Sequence, residues 1–254
     1  MAIDSYLIKK IVGFLSVMLG LGFLINGYLN DIFYFINLGI GSILIGTVIL
    51  IFSHEKYLKY DISSTIFNDY IDLISKLIKN LEINTKGIVI PPRHNIKNGT
   101  IFLPLNEDFE INFAVIDDNI IFVNSDNKKE MGVVFSPLGK GFINMLDKQG
   151  ESIDEVSKEI FDEHLSYALS LFDMGGDVNI KYKDKDITIS YKIKENEACK
   201  KLKKEKLCEK IPCPVCGFVI LGLARNLNKV LKINEIKQEN NNVVIKLSVI
   251  EQTL

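Results

Sequence analysis

The sequence predicts a protein of the α+β class, in which a two-helix transmembrane hairpin precedes a mostly antiparallel α+β domain. Two apolar runs, at 11–29 and 32–52, contain no charged residue. Each has about the 20 residues that an α-helix needs to cross the hydrocarbon core of a bilayer. Beyond residue 86, strand-like runs come in pairs between helical stretches, which is typical of antiparallel hairpins in the α+β class.

The hairpin is predicted to span residues 1–58 and to anchor the chain in the cell membrane as a multi-pass protein. Lys9–Lys10 precede the first run, and Lys56 and Lys59 follow the second. Because positive charge favours the cytoplasmic side, both termini and the domain are expected in the cytoplasm, with the lipid bilayer as a partner. A signal peptide is the alternative for Met1–Asn26, but a second apolar run follows at once.

Small residues spaced four apart occur in both runs, at Ser16 and Gly20 and again at Ser42 and Gly46. Such spacing lets helices approach closely, so it predicts a packing face within the hairpin or a homo-oligomer through the spans. The ordinary occurrence of glycine and serine in apolar helices is an equal alternative. Neither run has an ionisable residue at mid-depth, which argues against transport by the hairpin alone.

Residues 61–84 are predicted to form an amphipathic stalk helix, with Ser63 or Ser64 at its start and Gly87 beyond its end. The stripe that predicts it has helical spacing and consists of Ile66, Tyr70, Leu73, Ile74, Leu77, Ile78 and Leu81. We expect this stripe to pack on the domain or on a second copy of the helix, which is another route to a homo-oligomer.

The remainder is predicted to divide near Gly150 into a β-rich subdomain at 86–150 and an α+β subdomain at 151–254. Proline and Asn-Gly or Asp-rich turns separate the runs of the first subdomain. Its expected strands lie at 88–90, 100–105, 109–115, 119–123 and 131–135. A helix is expected from Ser136 to about Lys148.

In the second subdomain, the clearest helix is predicted from Ser152 to Phe172. Ser152 and Glu155 have the spacing of a capping box at its start, and Gly175–Gly176 is expected to end it. A charged segment at 194–210 precedes a second helix, predicted from Pro214 to Leu231. Alternation predicts strands at 178–182, 187–193, 233–237 and 243–249.

Composition excludes some classes of function. The net charge of −2 and the presence of only two arginines, Arg93 and Arg225, argue against a nucleic-acid partner. The sequence shows no Ser/His/Asp set, no H-E-x-x-H motif and no glycine-rich nucleotide motif. A non-enzymatic role is therefore favoured, although cysteine chemistry leaves an enzyme open.

All four cysteines lie in one short segment, at Cys199, Cys208, Cys213 and Cys216. Because disulfides are disfavoured in the cytoplasm, three interpretations compete. Four thiolates can hold Zn²⁺ and, less readily from this spacing, an iron–sulfur cluster. Cys213 at a predicted helix start is alternatively a redox nucleophile, since a helix N-terminus lowers a thiol pKa. Cys216 is alternatively a core residue, on the same face as Val219.

His164 is the one histidine on the apolar face of a predicted helix, next to Tyr167. A pocket is expected between this helix and the cysteine-started helix. Its predicted ligand-binding residues are His164, Tyr167, Cys216 and Leu223. A satisfied core histidine is the alternative to a ligand-binding one.

Three short segments carry a family resemblance: Ile90–Pro92, Thr100–Pro104 and Pro212–Cys216. They resemble an uncharacterised group of archaeal membrane-anchored proteins, in which two spans precede an α+β domain with a Pro-Cys-Pro-x-Cys helix start. The order of elements over 151–249 is similar to that of the small-molecule-binding domain named after 4-vinyl reductase. That resemblance implies a ligand pocket, but the cysteines that its family usually carries in the last hairpin are absent at 235–247.

The leading hypothesis is a membrane-tethered module that binds or senses a small molecule or a metal ion. The first alternative is a thiol or metal-dependent redox protein that uses Cys213 and Cys216. The second alternative is a structural scaffold that oligomerises through its spans and stalk.

Overall fold

The computed structural model describes residues 5–52, 60–154, 156–194 and 197–251. The chain forms two compact units, 1–62 and 63–254. The first consists of two apolar helices and the second is built around an antiparallel sheet, so the predicted α+β class is confirmed. Each unit is described by itself.

The first unit is a helical hairpin. Helix α1 runs over Ser5–Leu29 and α2 over Phe33–Phe52. Their segments Lys10–Leu29 and Phe33–Ile51 are long and apolar enough to cross a membrane. Most of their large apolar side chains face outward, which suits a lipid environment better than water.

A seam of glycines joins the two helices. A Cβ atom on Gly20 would lie 2.8 Å from the carbonyl oxygen of Gly39, and one on Gly46 would lie 2.8 Å from that of Gly13. The seam therefore depends on backbones that touch. It repeats every seven residues on α1, whereas Ser16 and Ser42 from the predicted small-residue pairs are only half-buried.

The second unit contains five helices of the α type and eight strands within the described residues. The helices are α3 (Tyr60–Asn80, which begins at the unit boundary), α4 (Lys140–Gln149), α5 (Phe161–Leu171), α6 (Glu197–Lys204) and α7 (Pro214–Leu227). The strands are β1 (Ile88–Ile90), β2 (Thr100–Pro104), β3 (Phe122–Val123), β4 (Gly132–Phe135), β5 (Gly175–Lys183), β6 (Asp186–Ile193), β7 (Val230–Glu239) and β8 (Asn242–Ile250).

All eight strands belong to one sheet, in the order β3-β4-β2-β1-β7-β8-β6-β5, and every neighbouring pair is antiparallel. Strands from both predicted subdomains meet where β1 pairs with β7, with Ile88 opposite Lys232 and Val89 opposite Leu231. The boundary predicted near Gly150 therefore separates two parts of one continuous sheet.

Hydrophobic clusters cover both faces of this sheet. On β1, Ile88 and Ile90 belong to the smaller cluster, whereas Val89 belongs to the larger one, as the alternation of a strand requires. The larger cluster contains α7, in which every residue from Val215 to Ala224 is buried. The smaller cluster is closed by the irregular segment before β3. The sheet is therefore sandwiched between helices and a long loop.

Two of the predicted strands lie in or at the end of this loop, and the structure corrects both. Residues 109–115 form no strand, and the predicted strand at 119–123 is reduced to Phe122–Val123. Within the loop, the Asn112 side chain accepts a hydrogen bond of 3.1 Å from the backbone N–H of Ala114. Such Asx turns compete with strand pairing, so the apolar residues here cover the sheet instead of extending it.

The helix predicted from Ser152 begins only at Phe161. The Ser152 hydroxyl accepts a 3.4 Å hydrogen bond from Asp154 N–H, which makes a local turn rather than a helix cap. The predicted capping partner, Glu155, lies outside the described residues. Conversely, the charged segment at 194–210 contains helix α6, which its lysine content concealed.

The stalk helix packs on the domain through part of the predicted stripe, and the rest of the stripe is exposed. Ile71, Ile74 and Ile78 are buried in the core, whereas Ile66 and Leu73 of the stripe are 61% and 66% exposed. The packed edge faces α6: Lys201 lies 2.8 Å from Asp72, and Ser75 donates a 3.2 Å hydrogen bond to Glu205.

Candidate functional site

The four cysteines converge on one small cavity. Cys199 comes from α6, Cys208 from the following loop, and Cys213 and Cys216 from the first turn of α7. The cavity has a volume of about 20 Å³, room for a water molecule or an ion and little more. Its remaining wall is apolar apart from two residues, and it consists of Ile193, Lys203, Ile236, Gln238 and Val243.

Two of the cysteines form a disulfide, Cys199–Cys213, with Cα atoms 5.3 Å apart. The sequence favoured thiols, because it placed the domain in a reducing compartment, so this bond corrects that expectation. It also corrects the redox interpretation in one respect, since the partner of Cys213 is Cys199 and not Cys216. The bond ties α6 to the start of α7.

The other two cysteines are free thiols. Cys216 Sγ accepts a 3.1 Å hydrogen bond from the Tyr191 hydroxyl, and the Cys216 N–H lies 3.4 Å from Cys213 Sγ and donates to it. Burial raises the pKa of the Cys216 thiol to about 11, although the Tyr191 bond acts in the opposite direction. Burial likewise raises the pKa of Cys208 to about 12, against a lowering effect from Lys203. Both groups are therefore neutral thiols at pH 7.

The disulfide form is not a preformed metal site. Among the described residues, no three His, Cys, Asp or Glu side chains are placed to hold a metal ion. The reason is visible in the cluster itself, because the disulfide consumes two of the four predicted ligands. Metal binding at this position requires reduction of that bond.

The structure separates the residues that were predicted to line the His164 pocket. Cys216 lines the cysteine cavity, whose wall contains no residue of α5. His164 is half-buried on α5, and its Nε2 atom is buried without a hydrogen-bond partner in the structure as described. Tyr167 is 54% exposed, and Leu223 is fully buried. These four residues therefore do not share one cavity.

Apolar side chains fill the space beside α7 where that pocket was expected. A Cβ atom on Gly222 would contact Ile153 Cδ1 at 3.4 Å and Leu165 Cδ1 at 3.8 Å. Both side chains are buried. This part of the predicted site belongs to the hydrophobic core.

A second, larger cavity lies at a site that the sequence did not single out. It has a volume of about 560 Å³ and is lined by Pro92, Arg93, His94, Asn95, Ile96, Phe113, Ala114 and Asn228. The only sequence signal for it is the position of Arg93, one of two arginines, directly after Pro91–Pro92. The contribution of Asn228 comes from the far end of α7, a proximity that no local pattern reveals.

Comparison with known families places the chain in one of them. The family described as domain of unknown function DUF7982 matches residues 11–248, and the chain belongs to it. No curated protein and no solved structure has significant similarity to the chain. Membership of a family without known function agrees with the resemblance to an uncharacterised group. The archaeal origin and the 4-vinyl reductase resemblance stay predictions.

Proposed function

We propose that this member of the DUF7982 family is a membrane-anchored sensing module, in which a four-cysteine cluster responds to the thiol redox state. In the oxidised form the cluster contains the Cys199–Cys213 disulfide, and in the reduced form it binds Zn²⁺. The observation that carries the proposal is the convergence of four cysteines, from three separate segments, on one ion-sized cavity.

Membrane anchoring is supported by the surface of the hairpin. Its exposed side chains are large and apolar on both helices, with Phe14 59% and Leu44 62% exposed. Exposure of such a surface to water along two 20-residue helices is costly, whereas a bilayer accommodates it. The lysines that flank the runs favour a cytoplasmic domain, which is where a thiol cluster experiences a reducing pool.

The chemistry of the reduced cluster suits zinc. Four sulfur ligands match the closed tetrahedral sites in which Zn²⁺ has a structural role. Hydrogen bonds from the Tyr191 hydroxyl and the Cys216 N–H already reach two of the sulfurs, and such bonds stabilise metal-bound thiolates. Buried thiols hold their protons until a cation compensates the thiolate charge, so binding releases protons. Lys203 in the cavity wall offsets part of the remaining negative charge.

The redox step is a two-electron exchange. A low-molecular-weight thiol reduces the disulfide through a mixed disulfide, leaving Cys199 and Cys213 as thiols and the reductant as its own disulfide. In the reverse direction, a small disulfide or a peroxide accepts two electrons and the two sulfurs rejoin. Because the two bonded cysteines lie on α6 and α7, either change alters the link between those helices.

A thiol–disulfide oxidoreductase is the second candidate, and the disulfide next to the Cys216 thiol favours it. In that case the Cys216 thiolate would attack Cys213 and release Cys199. The raised pKa of Cys216 opposes fast exchange, since the attacking species is the thiolate. A third role as an oligomeric scaffold is supported only by the exposed Ile66 and Leu73 on α3.

Zinc content of the full chain in lipid nanodiscs tests the proposal. After anaerobic reduction we expect about one Zn²⁺ per chain, and none after oxidation. Cys208→Ser and Cys216→Ser should abolish zinc binding while the Cys199–Cys213 disulfide still forms. That pair of results separates zinc binding from disulfide formation.

A reduced protein that titrates four thiols and takes up no zinc would contradict the metal part of the proposal. If that protein instead reduced a small disulfide substrate with turnover, the oxidoreductase candidate would replace it. Circular dichroism of each variant distinguishes loss of a ligand from loss of the fold.

A further inference from the structure

We propose that the cavity beside Arg93 binds a small organic anion, whose carboxylate or phosphate group is held by the Arg93 guanidinium. This Arg93 cavity is separate from the cysteine cluster, and the inference does not depend on the proposed function. Four observations carry it: a fixed loop, an unsatisfied guanidinium, further unpaired polar groups and a suitable volume.

The loop that presents Arg93 is held in one conformation. Arg93 N–H donates to the Ile96 carbonyl at 2.8 Å, and Ile96 N–H donates to the Arg93 carbonyl at 3.0 Å. The Ile96 side chain is buried, and Pro92 restricts the backbone just before the turn. The base of the Arg93 side chain is therefore preorganised, which lowers the entropic cost of binding.

The guanidinium has no ionic partner among the described residues. Its Cζ atom lies 4.2 Å from the centre of the Phe113 ring, and its Nε atom is buried without a hydrogen bond. A buried donor without a partner is destabilising, and an oxygen acceptor on a ligand would supply the missing hydrogen bond. Among the described residues no Asp or Glu lines the cavity, so a ligand can provide the acceptor that the fold does not.

Arg225, the other arginine, shows what a satisfied guanidinium looks like in the same protein. It lies 3.0 Å from Asp147 and also binds Asp154 through two nitrogens. The sequence does not show which arginine is paired. Among the described residues, the fold places carboxylates next to Arg225 and none next to Arg93. The fork of Arg93 remains available for two parallel bonds to a carboxylate or phosphate.

Three further polar side chains complete the Arg93 cavity. His94, Asn95 and Asn228 line it, and none has a side-chain hydrogen bond within the described ranges. Asn228 is the left-handed C-cap of α7, with φ 50°, and its backbone N–H is satisfied by the helix. The Asn228 side-chain amide, which has no hydrogen bond among the described residues, lines the cavity and can bind a ligand.

The size and lining of the cavity define the ligand class. A volume of about 560 Å³ lies within the range of small-molecule pockets. Hydrogen-bond donors from Arg93, His94 and the two asparagines favour an oxyanion. Pro92 and Ala114 can make apolar contacts with the organic part of a small ligand. We therefore expect a compact organic carboxylate or phosphate ester.

The two arginines give the test an internal reference. In the full chain in phosphatidylcholine nanodiscs, the side-chain Nε–H signals of Arg93 and Arg225 can be followed by NMR during titration with phenyl phosphate, benzoate and neutral benzyl alcohol. We expect a saturable shift of the Arg93 signal with both anions, none with the alcohol and none at Arg225.

Variants distinguish specific binding at Arg93 from nonspecific attraction to positive charge. Arg93→Gln should weaken phenyl phosphate binding by about tenfold or more, and Arg93→Lys, which keeps the charge but loses the fork, should weaken it severalfold. Lys97→Gln, which removes an exposed cation four residues away, should leave affinity unchanged. Calorimetry measures these affinities, and circular dichroism checks that each variant is folded.

Changing the lipid composition of the nanodiscs identifies the source of the oxyanion. If the Arg93 signal shifts when phosphatidylglycerol is added to the nanodiscs without any soluble anion, the oxyanion belongs to a lipid headgroup. If it shifts only with soluble anions, the ligand is a free small molecule. The absence of a saturable Arg93 shift in both arms, or an equal loss of affinity in Lys97→Gln, would overturn the proposal.

Discussion

At the residue scale, charged side chains in this protein are placed by the fold rather than by local sequence. Arg225 is only 11% exposed and is held by Asp147 and Asp154, which lie more than 70 residues earlier in the chain. Arg93 is equally isolated in the sequence, and no carboxylate among the described residues pairs with it. Both are rare arginines in this sequence, but no local pattern predicts which of the two is paired.

The Arg225 contacts predict a large effect on stability. Arg225→Met removes the hydrogen bonds from a nearly buried guanidinium to two exposed carboxylates, and we expect the free energy of unfolding to fall by about 2 kcal/mol. Arg225→Lys restores the charge but not the fork, so it should recover less than half of that loss. Urea unfolding of the two variants measures the difference, and equal stability of Arg225→Met and the natural protein would refute it.

Glu235 gives a prediction about pH. Hydrogen bonds and charge from Lys237 and Lys246 lower the pKa of its carboxyl group to about 2. Because the pKa is lower in the folded state, its stabilising effect is present above the unfolded pKa of about 4.3 and is lost as the pH falls through about 2. The difference in unfolding free energy between the natural protein and Glu235→Gln should therefore shrink between pH 5 and pH 2.

The matched control is Glu239→Gln on the same strand, because Glu239 forms no ion pair within the described residues. Its stability relative to the natural protein should change little over that range. A pH-independent difference for Glu235→Gln would show that the carboxylate titrates normally.

At the element scale, the sequence predicted best where one local pattern decides the structure. Period-two alternation located β5, β6, β7 and β8 to within a few residues, and the Pro214 start of α7 was correct. Prediction was wrong where tertiary contacts decide: residues 109–115 cover the sheet without pairing, and α5 begins nine residues after Ser152. The lysines of α6 concealed a helix whose buried face rests on α3 and the sheet.

Helix packing at Gly139 yields a sharp prediction. A Cβ atom there would lie 1.9 Å from the backbone nitrogen of Phe218, where the start of α4 meets α7. Since backbone atoms cannot move aside cheaply, Gly139→Ala should destabilise the protein by about 3 kcal/mol. Thermal unfolding of Gly139→Ala and Gly141→Ala tests this, because a Cβ at Gly141 meets nothing within 4 Å.

Gly141→Ala lies inside α4 and should stabilise the helix by about 0.5–1 kcal/mol, since alanine is the better helix former. If the two alanine variants behaved alike, the close contact between α4 and α7 would not exist in solution.

At the scale of the whole molecule, length and hydropathy were sufficient to predict the hairpin, and paired strands were sufficient for the fold class. The candidate sites were harder to predict from the sequence. The clustering of four cysteines within 18 positions made a shared site one of three interpretations, but the choice of Cys199 and Cys213 as the bonded pair depends on where α6 lies. The Arg93 cavity joins a turn and the end of α7, so no segment of the sequence contains it.

In the proposed sensor, one specific pair of cysteines, Cys199 and Cys213, changes its redox state. The most direct measurement is a redox titration of the full chain in nanodiscs, with rapid alkylation, denaturation and peptide mass spectrometry at each potential. We expect Cys199 and Cys213 to become oxidised together as one disulfide while Cys208 and Cys216 remain thiols. A disulfide between Cys213 and Cys216, or four thiols that stay reduced at every potential, would contradict the account.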